Sequence, residues 1–244
     1  MGETTKTIRV VIVDDERLFA ELMRVALRAA DGIEVLAVVH DVKSAIAALN
    51  EHRPDVVIAD YHLPDGTGAD IARAVRSSLP DTSVLVLTAD PSAVTLNDVA
   101  RSGAVGHMTK GRGLTEVVDS VRAAASGEIL FAPSELQRLL LESAASRKII
   151  EPLTSRELEV LRLLASGTST TAAAESLGIS TATLRAHVQA VLRKLGAHSR
   201  LEAVAEAARL GLVTLESWTR DRVGPPRGDP VLPPNAHNSI HSGG

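Results

Sequence analysis

The sequence predicts two folds in tandem, an α/β doubly wound five-stranded parallel sheet followed by a small all-α helix-turn-helix domain. Three observations carry this. Short β-branched runs alternate with helix-period segments from Ile8 to Ala125. From Leu153 to Val213 the pattern is helical only, punctuated at Gly167, Gly178 and Gly196, where helices end and turns begin. The chain has 244 residues, enough to close two apolar cores.

The first strand reads from Ile8 to Val13 and its helix from Leu18 to Ala30; Ile33 to Val39 and Val42 to His52 form the second unit. Val56 to Ala59 and Val84 to Leu87 are further apolar strands, with helices expected after Gly68 and after Pro91, and Val105 to Met108 followed by Leu114 to Ala125 completes the series. Strands apolar on both faces, each returning through a helix, imply right-handed crossovers and a functional edge at the strands' C-terminal ends. Phe131-Ala-Pro133 stops this rhythm, and Ser134 to Ser146 reads as one amphipathic helix in a linker. Thr154-Ser-Arg-Glu157 and Ser199-Arg-Leu-Glu202 fit the capping-box pattern of helix starts. From about Arg222 the chain is rich in Pro, Gly, Asn, His and Ser and is expected to be disordered. The predicted boundaries are 7–127, a linker at 128–150, 151–215 and a tail at 220–244.

Aromatic residues supply only 2% of the chain against 45% hydrophobic content, so the cores must be aliphatic. There is no cysteine, which excludes disulfides, thiolate metal sites and a thiol nucleophile and agrees with a cytoplasmic location. No apolar run approaches the roughly 18 to 20 residues that span a bilayer, and no membrane partner is expected. The net charge of −4 belongs to the first half. Residues 1–127 hold 13 Lys/Arg against 18 Asp/Glu, and residues 150–217 hold 7 against 7. Bulk charge therefore neither supports nor excludes nucleic-acid binding by the second half.

Asp14 and Asp15 end the first strand and Asp60 ends the third, so a doubly wound sheet brings three carboxylates to one edge. Clustered carboxylates repel unless a cation compensates them, and Mg²⁺, held by carboxylates, waters and a phosphate, suits the set. Thr88 closes the fourth strand and Lys110 follows the fifth. A nucleophilic carboxylate, a cation and donors for the remaining oxygens are what a transferred phosphoryl group needs. A single strand-end Asp can equally cap a helix. A phosphatase using an aspartyl-phosphate would need a second acid two residues after Asp60, where this chain has His62, so no enzyme activity is expected.

In the helical half, Thr170 to Leu177 and Thr181 to Leu195 flank Gly178 as a helix-turn-helix. On a helical wheel Leu184, Val188, Val191 and Leu195 form the buried stripe. Ala182, Ala186, Gln189 and Arg193 lie opposite, Arg185 on one flank, His187 and Lys194 on the other. Small residues at the crest and donors along the rims fit a major groove, though a solvated face has the same pattern. Leu201, Val204, Ala205 and Ala208 follow an i, i+3, i+4, i+7 spacing that suits either packing within the domain or a C2 dimer.

Residues 8–127 resemble the receiver domain of response regulators, a flavodoxin-like fold. The resemblance rests on Asp14-Asp15, the Asp60-Tyr-His-Leu-Pro-Asp-Gly66 run, Thr88-Ala, and Gly103-Ala-Val-Gly-His-Met-Thr-Lys110. It implies Asp60 as phosphoacceptor from a sensor histidine kinase, Mg²⁺ held by Asp14, Asp15, Asp60 and the carbonyl of His62, and phosphoryl contacts from Thr88 and Lys110. One position departs: His107 stands where the family most often has a Tyr or Phe switch residue, and its charge near pH 6.5 would oppose an inward turn. Residues from Leu153 to Val213 are similar to the LuxR-type DNA-binding domain of the NarL/FixJ branch. Here the matching residues are Leu153-Thr-Ser-Arg-Glu157, Val160-Leu161, Gly167, Leu177-Gly-Ile-Ser180, Thr183-Leu-Arg185, His187-Val188 and Leu192-Arg-Lys-Leu195. The resemblance implies a transcription regulator that contacts DNA through Thr183, Arg185, Ala186, His187, Gln189, Arg193 and Lys194, and a homodimer on DNA through Leu201, Val204 and Ala208. Thr170-Thr-Ala-Ala173 replaces the usual Asn-Lys-Glu-Ile, so a phosphate-binding lysine is missing at Thr171. The alternative is a phosphorylation-controlled adaptor whose helical half binds protein.

Overall fold

The computed structural model describes residues 7–89, 92–143 and 151–214. The expected tail at 220–244 lies outside these residues, as does the end of the linker helix beyond Ser143. Strands β1 (Ile8–Val13), β2 (Ile33–Val39), β3 (Val56–Asp60), β6 (Ser83–Thr88) and β7 (Gly106–Thr109) form one five-stranded sheet in the order β2-β1-β3-β6-β7, and every pairing is parallel. Two two-residue strands, β4 (His62–Leu63) and β5 (Gly66–Thr67), make a small antiparallel hairpin after β3 that periodicity does not reveal.

Strand side chains divide by parity. Val10, Ile12, Val56, Ile58, Leu85 and Leu87 pack with Ala20, Met23 and Leu27 of α1 (Arg17–Arg28) and Val117, Val121 and Ala124 of α5 (Leu114–Ala125). Val11, Val13, Val57, Ala59, Val84 and Val86 face α2 (Val42–His52), α3 (Gly68–Ser78) and α4 (Ala93–Ser102). The period-2 alternation of buried neighbours, with both sets apolar, is what a sheet covered on both faces requires. Five helix starts have a local cause: Asp41, Thr67, Ser92, Ser169 and Ser180 accept from backbone N–H groups of the following turn.

The linker is not a spacer. Leu130 donates its N–H to Val105 O at 2.6 Å, Ile129 and Phe131 are buried, and α6 (Pro133–Ser143) lies against α4 and against α10 (Arg200–Arg209). A Cβ on Gly106 would lie 2.4 Å from Leu130 Cβ, so only glycine admits this close approach.

The C-terminal helices are α7 (Ser155–Ala165), α8 (Thr170–Ser176), α9 (Thr181–Leu195) and α10. Thr154 and Glu157 form the complete capping box that the sequence predicts, whereas Glu202 accepts from the His198 N–H and makes the Ser199 box only half of one. The apolar cluster on the second sheet face continues through Leu136 and Leu139 into Leu201, Val204 and the helical core, so the two halves share buried surface.

Candidate functional site

At the C-terminal edge of the sheet, β1, β3, β6 and β7 deliver Asp14, Asp60, Thr88 and Lys110 to one pocket, with Asp14 and Thr88 fully buried and Asp60 4% exposed. Asp15 stands at the rim, and one carboxylate oxygen from each of the three acids lies within 4.8 Å of the others. Lys110 Nζ binds Asp14 Oδ1 at 3.1 Å, Asp60 Oδ2 at 3.0 Å and Glu16 Oε1 at 2.7 Å, and lies 4.9 Å above the Phe19 ring. Glu16 and Phe19 escaped the sequence reading because an acid and an aromatic early in a helix carry no signal of their own.

Burial raises the carboxyls of Asp14 and Asp60 above their usual range, and contacts with Lys110 offset only part of that cost. Burial alone would lower Lys110, but Glu16, Asp14 and Asp60 outweigh it and hold the ammonium charged. Asp14 Oδ2 has the Lys110 ammonium at 3.0 Å yet accepts no well-aligned hydrogen bond. A buried carboxylate oxygen so placed, with Asp60 and Asp15 beside it, fits a hard divalent cation. The His62 N–H donates to Asp60, while the His62 side chain is exposed.

His107 does not stand outside as an expected switch awaiting its inward turn. Only 15% of its side chain is exposed; its ring lies 5.9 Å from Phe131, and Nδ1 is 3.3 Å from Glu135 Oε1 of α6. Neither atom has an aligned hydrogen-bond partner. Burial lowers the imidazole pKa, helped by Arg112 and Arg138, and burial raises that of Glu135, so both tend to neutrality.

On α9, Thr183, Ala186, Gln189 and Arg193 are exposed and His187 is half-buried, as the wheel requires. Lys194 differs from expectation. Its ammonium binds Glu157 Oε2 at 2.8 Å and Pro152 O at 3.1 Å, tying α9 to the start of α7 rather than standing ready for DNA. Arg185 is ion-paired to Asp81 at 2.9 Å, and Arg185 and Gln189 line a cleft with Arg76, Pro80 and Thr82. Arg76 in turn donates to His198 O at 2.9 Å. The Arg185 flank of α9 thus faces the N-terminal half. The apolar face of α10 is likewise spent within the chain: Leu201, Val204 and Ala205 are fully buried, and α10 packs on α6, α7, α9 and α4, leaving Ala208 only half-buried at the margin. The spacing told that this face is apolar, not what covers it.

The family described as response regulator receiver domain matches residues 10–122, and that described as bacterial regulatory proteins, luxR family, matches residues 151–207. The uncharacterized transcriptional regulatory protein YxjL of Bacillus subtilis is 33% identical over 212 residues, covering 84% of this chain and 97% of its own. The chain belongs to the NarL/FixJ branch of response regulators. The probable transcriptional regulatory protein NarL of Mycobacterium tuberculosis is 36% identical over 207 residues, 84% of this chain and 96% of its own. A LuxR-family two-component response regulator from Aurantimonas sp. SI85-9A1, solved by crystallography, superposes with a TM-score of 0.51 at 26% identity, over 57% of this chain and 99% of that one. As a response regulator the chain joins a receiver to a LuxR-type DNA-binding domain and regulates transcription, which sets aside the adaptor reading of the helical half. Among the described residues no helix is long and apolar enough to cross a membrane.

Proposed function

We propose that a sensor histidine kinase phosphorylates this response regulator on Asp60 and that phosphorylation releases α9 to bind DNA. The observation that carries the first part is the Lys110 ammonium bridging Asp14 and Asp60 at 3.1 and 3.0 Å, deep at the sheet edge. An Asp60 carboxylate oxygen attacks phosphorus, the phosphorus–nitrogen bond of phosphohistidine or the phosphorus–oxygen bond of an acyl phosphate breaks, and the donor leaves with that bond's electron pair. Lys110 then exchanges one carboxylate contact for a phosphoryl oxygen, and the hydroxyl of Thr88, on the neighbouring strand end, takes another. Asp14, Asp15, Asp60 and the His62 carbonyl are the residues that would hold Mg²⁺, which supplies charge neutralisation for the incoming phosphoryl oxygens.

The second part rests on the cleft in which Asp81 occupies Arg185 and the N-terminal half faces Gln189. A helix so seated cannot enter a major groove about 12 Å wide. Opening frees Arg185 from Asp81 and removes the receiver from beside the helix, so that Thr183, Arg185, Ala186, His187, Gln189 and Arg193 can meet DNA, and it also uncovers α10, whose Leu201, Val204 and Ala208 would then pair two protomers. Incubation with Mg²⁺ and a small acyl phosphate, followed by intact-mass measurement, tests the phosphoacceptor. Wild type gains one phosphoryl group and Asp60→Asn gains none; equal labelling overturns the assignment.

A further inference from the structure

Arg200, the first residue of α10, has an unusual environment for a cation. Its Nη1 donates to Gly127 O at 2.6 Å and to Thr170 Oγ1 at 3.0 Å, and both acceptors are neutral. The residue keeps some exposed surface, yet its guanidinium is desolvated in the cleft; burial, with repulsion from Arg185, lowers its pKa to about 10. Among the described residues Arg200 thus meets the receiver without a carboxylate while sharing one cleft with Arg185, Gln189 and Thr170. A desolvated guanidinium is compensated best by an anion offering two oxygens.

Three consecutive helices converge here: α8 brings Thr170, α9 brings Arg185 and Gln189, and α10 brings Arg200. When α9 lies in a major groove, rows of phosphates run along both walls of that groove, beside the starts of the helices that flank it. The receiver meets the same place with backbone oxygens. Gly127 O lies against Arg200, and Ser126 O accepts the Thr170 N–H at 2.7 Å.

We propose that Arg200, with the Thr170 hydroxyl, binds a DNA phosphate, and that the receiver's Gly127 carbonyl takes that phosphate's place in the closed chain. The site rests on the DNA-binding reading above and deepens it. It provides, from α10, a backbone contact in a chain that lacks the usual lysine at Thr171. It also makes release selective: the closed state offers Arg200 a neutral carbonyl oxygen, whereas DNA offers an anionic group whose paired oxygens match the guanidinium fork. Gly127 is the hinge of the exchange. Its φ is +77°, and a Cβ there would lie 2.0 Å from Thr170 Oγ1 and 2.9 Å from Arg200 Nη1, so Gly127→Ala forces the contact apart.

The test is the salt dependence of binding to a labelled mixed-sequence duplex a few turns long, using the full chain with Mg²⁺ and acyl phosphate. Each lost phosphate contact lowers the slope of log K against log salt by about one. Arg200→Gln should show that drop per protomer, and Arg200→Lys, which keeps the charge, should retain the slope. Gly127→Ala should bind without phosphodonor at the wild-type slope. If Arg200→Gln keeps the wild-type slope, Arg200 only fastens the two halves and the proposal is wrong. If phosphorylated wild type binds no duplex, the DNA reading fails first and the site with it. A second measurement needs no substitution at Arg200. In Gly127→Ala, duplex should shield Arg200 from a dicarbonyl reagent mapped by mass spectrometry, and equal modification with and without duplex overturns the proposal.

Discussion

Lys110 holds together two buried carboxylates that would otherwise face each other uncompensated. Removing one partner of such a set costs several times what a surface pair is worth, because the remaining charges stay desolvated. Lys110→Ala should therefore lower metal-free stability by about 2 kcal/mol, and added Mg²⁺ should recover part of that loss, both read by urea unfolding. An unchanged midpoint would mean that Asp14 and Asp60 rest comfortably without the ammonium. At this scale the strand-end acids, Thr88 and Lys110 were legible because each follows an apolar run. Glu135 and Arg200 were not. One is a capping acid at a helix start, the other an arginine at the first position of a helix, and nothing in either local pattern tells what lies across from it.

Element boundaries followed closely from the sequence wherever β-branched runs met helix periodicity: β1, β2, α2, α5 and α9 begin and end where the pattern does. The β4–β5 hairpin was invisible because two residues per strand define no period. The linker helix was legible as a helix, but not its docking, which depends on long-range packing. That docking has a pH signature. Glu135 is 5% exposed, its pKa is raised above 4.5 by burial, and its Oε2 accepts from Ala132 N–H at 2.5 Å. A raised carboxyl stabilises the fold fully below about pH 4.5 and loses that contribution as pH rises through the folded value. Glu135→Gln keeps the Ala132 bond without the charge, so it should be the more stable protein at pH 8, by about 1 kcal/mol, with the gap closing toward pH 4.5. His107 runs the other way. Its pKa is lowered below 6.5, so its neutral burial stabilises above that pH and loses its advantage as pH falls below it. Thermal melts of wild type, Glu135→Gln and His107→Ala across pH 4 to 8 separate the two trends; parallel curves would show that the pair does not titrate on folding.

For the whole molecule, the closed arrangement combines a continuous apolar core through α6 and α10 with a few polar contacts across the cleft. One of these is weak: Asp81 is 72% exposed, and a pair of that kind contributes about 0–1 kcal/mol and is screened by salt. Asp81→Asn should raise the DNA affinity of unphosphorylated protein a few-fold at low salt, with the gain fading as salt rises, as a gel-shift series reads directly; no gain at any salt would show that Arg185 is not held back by Asp81. The two-domain plan was legible because each half has its own periodicity. That the halves close on each other was not, because the polar groups that meet across the cleft, Arg76, Asp81 and Arg185, read singly as solvated surface. The most direct test of the account is the DNA affinity of wild type and Asp60→Asn, each with Mg²⁺ at one fixed salt, before and after acyl phosphate. Wild type should gain about tenfold or more, some 1.4 kcal/mol, and Asp60→Asn should gain nothing. Equal gains in the two proteins, or no gain in wild type whose Asp60 is fully phosphorylated by mass, would contradict it.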